Sequence, residues 1–240
     1  MTDRISEIIT ELNEITRVAR AHLDGLTREE LNWKPNANSW SVAQCLDHLI
    51  RLNSLYFPLF SSLGTGPVKQ TFVERYSPFS GMMGRLMIGA MSPENQKKTK
   101  TRPKAEPSAS DLDGILESFV RHQAELIGLL GQIPESVNLE RTIVTSPLAG
   151  WVTYSLDDCL TILVLHEKRH LQQARRVLEA EERSRGGGAA DSGSSLRRSN
   201  QRDQEWLNSP LRATRVADMV SCREESATVH GQTARSGRQM

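Results

Sequence analysis

The sequence predicts an all-α fold, a four-helix bundle with a long crossover between its second and third helices, followed by a disordered C-terminal tail. Apolar residues recur at a 3.6-residue period in four segments. Three of those segments open on a Ser-x-x-acid or Ser-x-x-amide signal, in which the serine oxygen satisfies an orphan backbone amide. Period-2 alternation, the mark of a half-buried strand, never runs far enough to suggest a substantial sheet.

The first helix is expected over residues 4–24, where Ile5, Ile8, Ile9, Leu12, Ile15, Ala19 and Leu23 form one stripe. The second starts at the capping box Ser41-Val42-Ala43-Gln44 and continues to about residue 62. Residues 63–109 are too long for a simple hairpin connection and imply the crossover. Within it, the apolar but glycine-broken run from Phe79 to Met91 reads as a small helix packing on the bundle. It is core filler rather than a lid, since methionines at helical spacing usually only pack. The basic run Lys97-Lys98-Thr99-Lys100-Thr101-Arg102-Pro103-Lys104 reads as solvated surface, with an anionic substrate as the alternative. The third helix begins at Ser110-Asp111-Leu112-Asp113 and ends near Gly131, carrying Leu112, Ile115, Leu116, Phe119, Leu126, Ile127 and Leu130. The fourth opens at Ser155-Leu156-Asp157-Asp158 and fades near Glu182.

The chain therefore divides into a bundle domain over residues 1–182 and a low-complexity tail over residues 183–240. The tail is rich in Ser, Arg, Gly and Ala, and buries too little apolar surface to offset its ordering entropy. Every lysine precedes it, while arginine continues to Arg238. Its arginines alternate with Asp and Glu, which favours a solvated linker over a nucleic-acid arm; a shifted reading frame would produce the same bias. A net charge of +1 leaves no electrostatic footprint for nucleic acid or an acidic membrane. No leader pattern and no spanning apolar run is present, so a cytoplasmic location is expected. Cys45, Cys159 and Cys222 are an odd, widely spaced set that suggests neither a disulfide framework nor a thiolate zinc site.

Three histidines carry the chemistry. His166 and His170, four apart on the fourth helix, project from one face, and His48 sits on the second helix beside Cys45, Leu52 and Leu55. All three extend buried stripes, and three inward imidazoles are a heavy polar load for a core unless a divalent cation coordinates them. A single histidine such as His48 taken alone is more often a hydrogen-bonded core residue; the pair at i and i+4 shifts the balance. His22, His122 and His230 receive no role.

The segment Trp40-Ser41-Val42-Ala43-Gln44-Cys45-Leu46-Asp47-His48-Leu49, preceded by Trp33-Lys34-Pro35, together with His166-Glu167-Lys168-Arg169-His170-Leu171-Gln172-Gln173, closely resembles the DinB-like superfamily. That superfamily includes bacillithiol transferases and, more distantly, mycothiol-dependent maleylpyruvate isomerases. The resemblance spans about residues 5–178. It implies a four-helix bundle, often a homodimer, with His48, His166 and His170 holding zinc, nickel or a similar divalent ion. The implied activity is a metal-activated low-molecular-weight thiol attacking an electrophilic small molecule, or a hydrolytic variant with water. A metal-stabilised binding or stress-response module without turnover is the alternative.

His166-Glu167-Lys168-Arg169-His170 also fits HExxH, but Gln173 and Arg176 stand where the metzincin extension needs Gly and His, and no substrate-binding strand is evident. Glu167 then becomes a flanking residue, turned from the metal or paired on the surface with Arg169 or Lys168. The catalytic candidates are Glu167 and Gln173. Gln44, Asp47, Asp158 and Gln173 are the side chains within reach of the ligand imidazoles, Gln173 foremost. Cys45 and Cys159 are soft-ligand candidates more plausibly packed as apolar residues, and Trp40 and Trp151 are pocket walls or core.

Overall fold

A computed structural model describes residues 1–65, 70–71, 74, 79–92 and 101–185, with 201, 203, 205 and 207 beyond them. These residues belong to one unit, Met1–Ser209; the second, Pro210–Met240, lies outside the described residues, as do Lys97, Lys98 and Lys100 of the basic run.

Four long helices form the frame: α1 (Asp3–Leu23), α3 (Val42–Ser54), α6 (Ile115–Gly131) and α7 (Leu156–Ser184). Each buries the apolar face that its periodicity predicts, with Ile8, Leu12, Ile15, Leu46, Leu49, Phe119, Leu126, Leu160 and Val164 wholly excluded from solvent. Each such side chain contributes about 1.5–3 kcal/mol relative to exposure. Short elements complete the described chain: α2 (Arg28–Asn32), α4 (Phe57–Thr65), α5 (Ser80–Met91), a 3-10 turn (Pro103–Ala105) and a hairpin of β1 (Ile143–Thr145) with β2 (Thr153–Ser155). The strands pair antiparallel, Val144 opposite Tyr154. Among the described residues, an all-α architecture with only this small two-stranded sheet agrees with the sequence reading.

Side-chain contacts fix the helix directions. Arg4 reaches Asp157 at 2.7 Å and Glu11 reaches Lys168 at 2.9 Å, so α1 and α7 run the same way. Tyr56 meets Tyr154 at 2.7 Å while His48 meets His166 at 3.2 Å, so α3 and α7 are antiparallel. Asn32 pairs with Leu112 and the Met1 amino group with Glu135, which sets α6 antiparallel to α1. It follows that α3 and α6 are parallel, and two parallel neighbours require the crossover that the long connection implies.

Two helix boundaries differ from expectation. The second helix stops at Ser54, and α4 restarts at Phe57. The Leu55 and Tyr56 amides bond to Leu52 and Asn53, tightening the last turn. Pro58, with no N–H and a ring that clashes with the carbonyl four residues back, is tolerated only in the first turn of a new helix. The third helix starts at Ile115, not at Ser110. The Asn32 side chain bonds both the carbonyl and the amide of Leu112, at 2.8 and 2.9 Å, and holds that residue out of a helical ladder. Gly114 then turns the chain at φ +56, with no side-chain cap.

Helix α5 lies along α7 as a small packing helix. Ser80 bonds Thr153, Gly84 sits against Asp158, and Arg169 of α7 donates to the Ala90 carbonyl at 2.7 Å. It is not core filler throughout, because Phe79, Met82 and Leu86 are exposed. No described helix is long and apolar enough to cross a membrane. Beyond residue 185, Asp203 is buried against Arg17 and His22, and the Leu207 carbonyl accepts from Gln172 at 3.2 Å.

Candidate metal centre

The run from His166 to His170 points in four directions, because successive residues of an α-helix are turned by about 100°. His166 and His170 face α3. Glu167 enters the middle of the bundle, where it accepts from Asn53 at 2.6 Å and from Gln123. Lys168, wholly buried, pairs with Glu11 of α1. Arg169 reaches α5. The surface ion pair expected for Glu167 is thus overturned: bundle packing takes the residue fully inside, where burial pushes its carboxyl up to about 7 against the pull of the two amide donors.

His48 arrives from the second turn of α3, whose start is fixed by the Ser41–Gln44 capping box. Its Nε2 lies 3.2 Å from Nε2 of His166, which in turn lies 3.1 Å from Nε2 of His170. These three form the one group of His, Cys, Asp or Glu side chains among the described residues whose donor atoms converge as metal ligands do, all within 4.8 Å and all buried. Nitrogens sharing one tetrahedral ion at about 2.1 Å stand about 3.4 Å apart. The His48–His166 and His166–His170 separations fall close to that spacing.

Proton bookkeeping favours a cation at that point. His48 donates Nδ1–H to the Ala105 carbonyl at 2.5 Å, which leaves its Nε2 an acceptor. Nε2 of His166 has two acceptor-capable neighbours and at most one proton, so neutral imidazoles cannot satisfy both contacts with linear hydrogen bonds. Burial, first among the causes, lowers the proton affinity of all three rings, and for His166 and His170 neighbouring imidazoles and Arg169 lower it well below the ordinary value. The Nδ1 atoms of His166 and His170 are buried without a hydrogen-bond partner. Three neutral rings with lone pairs aimed at one point are what a divalent ion requires.

Of the neighbours expected beside the ligand imidazoles, Gln44 and Asp47 bond to Ser108 instead. Gln44 donates to the Ser108 carbonyl at 2.7 Å, and Asp47 accepts from the Ser108 amide at 2.7 Å and from Arg51. Both tether the end of the crossover that carries Ala105, the atom that orients His48. Gln173 lies one turn after His170 and opposes the fall in that ring's proton affinity. Asp158 lies against Gly84, on the α5 side. Cys45 and Cys159 are buried thiols, pushed up by burial and outside the converging group. Trp40, half-buried, stacks on His170 with ring centroids 5.6 Å apart and tilts on His48 at 4.9 Å. Trp151 is 71% exposed and walls nothing. Ala105 escaped the sequence reading because a carbonyl belongs to every residue and only the fold selects this one.

A family model described as the DinB superfamily matches residues 11–174, which take in all three histidines. No curated protein and no solved structure matches the chain.

Proposed function

The chain belongs to the DinB superfamily, and from that premise we propose that it is a divalent-metal-dependent enzyme of the thiol S-transferase type, with hydrolysis as the lesser variant. The observation that carries the reading is the convergence of the His48, His166 and His170 Nε2 atoms, with His48 locked in the ligand tautomer by Ala105. Zinc or nickel suits this donor set. Bound there, the ion supplies a Lewis acid that makes a thiol or water a stronger nucleophile at neutral pH.

The residues around it favour a thiol. Three neutral imidazoles add no negative charge, so the full charge of the ion remains to stabilise an anionic nucleophile. Hydrolysis gains from a carboxylate base beside the water. The two acids next to the ligands in sequence are committed elsewhere, Glu167 to Asn53 and Gln123, Asp47 to Arg51 and Ser108. A thiol, more acidic than water, gives its proton to solvent without such a base. This also counts against a zinc protease, whose glutamate must reach the attacking water. Trp40 shields one side of the triad and offers a flat apolar wall to a small substrate.

Metal analysis of the full chain from defined medium should find about one divalent ion per chain, lost or strongly reduced in His48→Ala, His166→Ala and His170→Ala. Thiol-dependent loss of an electrophilic probe supports the transferase, and thiol-independent ester cleavage moves the assignment to hydrolase. Tight metal with neither activity leaves a non-catalytic module. A folded wild type that takes up neither zinc nor nickel overturns the metal reading.

A further inference from the structure

An imidazole that binds a metal is usually held in its plane from the far side, where its other nitrogen donates to a carbonyl, a carboxylate or water. His48 follows that pattern, with Ala105 as the acceptor. For His170 no side chain or carbonyl among the described residues bonds to Nδ1; Gln173 influences the ring, yet no hydrogen bond of ordinary geometry joins the two. What meets the flat of this ring is the half-buried indole of Trp40, stacked at 23° with centroids 5.6 Å apart. The same indole lies 4.9 Å from the His48 ring, at 49°. One side chain thus touches a ligand of α7 and a ligand of α3, on both sides of the seam that an ion would bridge.

The backbone gives the indole a fixed point of departure. Trp40 immediately precedes the N-cap Ser41, whose reciprocal bonds with Gln44 measure 3.1 and 3.3 Å. A residue at that place often only staples the helix start by packing on the fourth helical residue, here Cys45. A staple needs an apolar side chain of any shape, whereas contact with two imidazole rings at once needs a plane. The third ring, His166, rests against the other two at 59° and 67°, so the orientation set at His48 and His170 passes on to it. Chemistry adds a reason for an indole. An imidazole that lends its lone pair to a divalent ion becomes electron-poor, and the negative face of an indole holds such a ring more tightly than a neutral one.

We infer that Trp40 is a positioning residue of the triad: its indole fixes the planes of His170 and His48, so that the ligand nitrogens are aimed before an ion arrives. This rests on the metal reading above and adds to it the side chain that makes the ligands ready.

The first measurement needs no metal and no variant. Histidine-ring NMR of the chelated full chain should show nuclear Overhauser contacts from the indole to the His48 and His170 rings, and the same contacts after zinc is added. The second is zinc affinity by chelator competition. Trp40→Leu keeps an apolar staple without a plane and should bind zinc about tenfold more weakly, at an unchanged melting temperature of the chelated protein. Trp40→Phe restores a flat ring and should recover most of that loss. Contacts that are missing, or that form only once zinc is present, overturn the inference with the metal site intact. Equal zinc affinity in wild type and Trp40→Leu reduces the indole to packing and overturns it as well. So does a loss in Trp40→Leu that Trp40→Phe fails to recover. A wild type that shows the contacts but binds no zinc removes the metal reading, and the positioning role with it.

Discussion

His122 is an imidazole buried without the company that the triad enjoys. Its ring stacks on Phe57 with centroids 4.8 Å apart, and its Nε2 is buried with no partner. Burial lowers its pKa from 6.5 to about 4. The unfolded chain therefore binds more protons than the folded one throughout that interval, so stability present above about pH 6.5 is lost as pH falls towards about 4. His122→Phe keeps the stacked ring and removes the titration. In urea unfolding with chelator present, it should lose on the order of 1 kcal/mol less than wild type between about pH 7 and pH 5. Parallel pH profiles for the two proteins would show that His122 is not desolvated as described. At this scale the sequence told the histidines apart only where spacing helped: His166 and His170 declare themselves by one helical turn, whereas His48 and His122 look alike as single imidazoles on apolar faces. Resemblance separated those two, and the fold shows why, since His48 has Ala105 behind it and two ring nitrogens ahead of it while His122 has only Phe57.

Helix α5 depends on one missing side chain. A Cβ on Gly84 would lie 2.1 Å from Oδ2 and 3.0 Å from Cβ of Asp158, so α5 approaches α7 at a distance only glycine permits. Gly84→Ala would gain helix propensity in isolation. Here it should instead destabilise by about 1–3 kcal/mol, because either Asp158 must leave its position or α5 must lift. Hydrogen exchange should accelerate in α5 while α1 and α6 stay protected; a variant as stable as wild type would mean that the contact is loose. The exposed Phe79, Met82 and Leu86 give α5 little else to hold it on its outer side. Where elements were readable, local chemistry agreed with tertiary structure: the Ser41 and Ser155 caps stand as read, and the α1 stripe buries nearly as written. Where they were not, a distant side chain intervened. Asn32 takes both polar groups of Leu112 and cancels a start signal that is sound by itself. The small hairpin was equally invisible, since three residues per strand are too few for alternation to register.

The whole molecule places its candidate cross-link between antiparallel neighbours: His48 belongs to α3, His166 and His170 to α7, and Ala105 comes from the crossover that joins α3 to α6. Parallel α3 and α6 were legible in the length of that connection, but which residue of it would touch the site was not, because the contact joins residues 57 positions apart. Glu167 ties α3, α6 and α7 together beside the triad, so an ion would act on a bundle already clamped in its centre. The ion is then a linkage term more than a folding requirement. If it binds the folded chain and not the unfolded one, free metal at a hundredfold its Kd stabilises by about 2.7 kcal/mol. In a chain of this length that corresponds to a rise in Tm of about 5–11 °C. Zinc or nickel should raise the Tm of wild type and of His122→Phe by similar amounts, chelator should reverse the rise, and His48→Ala and His170→Ala should melt at temperatures indifferent to either. An equal rise in His48→Ala would assign the stabilising ion to some other ligands, and a wild type that unfolds on chelation at room temperature would show that the Glu167 clamp does not hold the helices together without it.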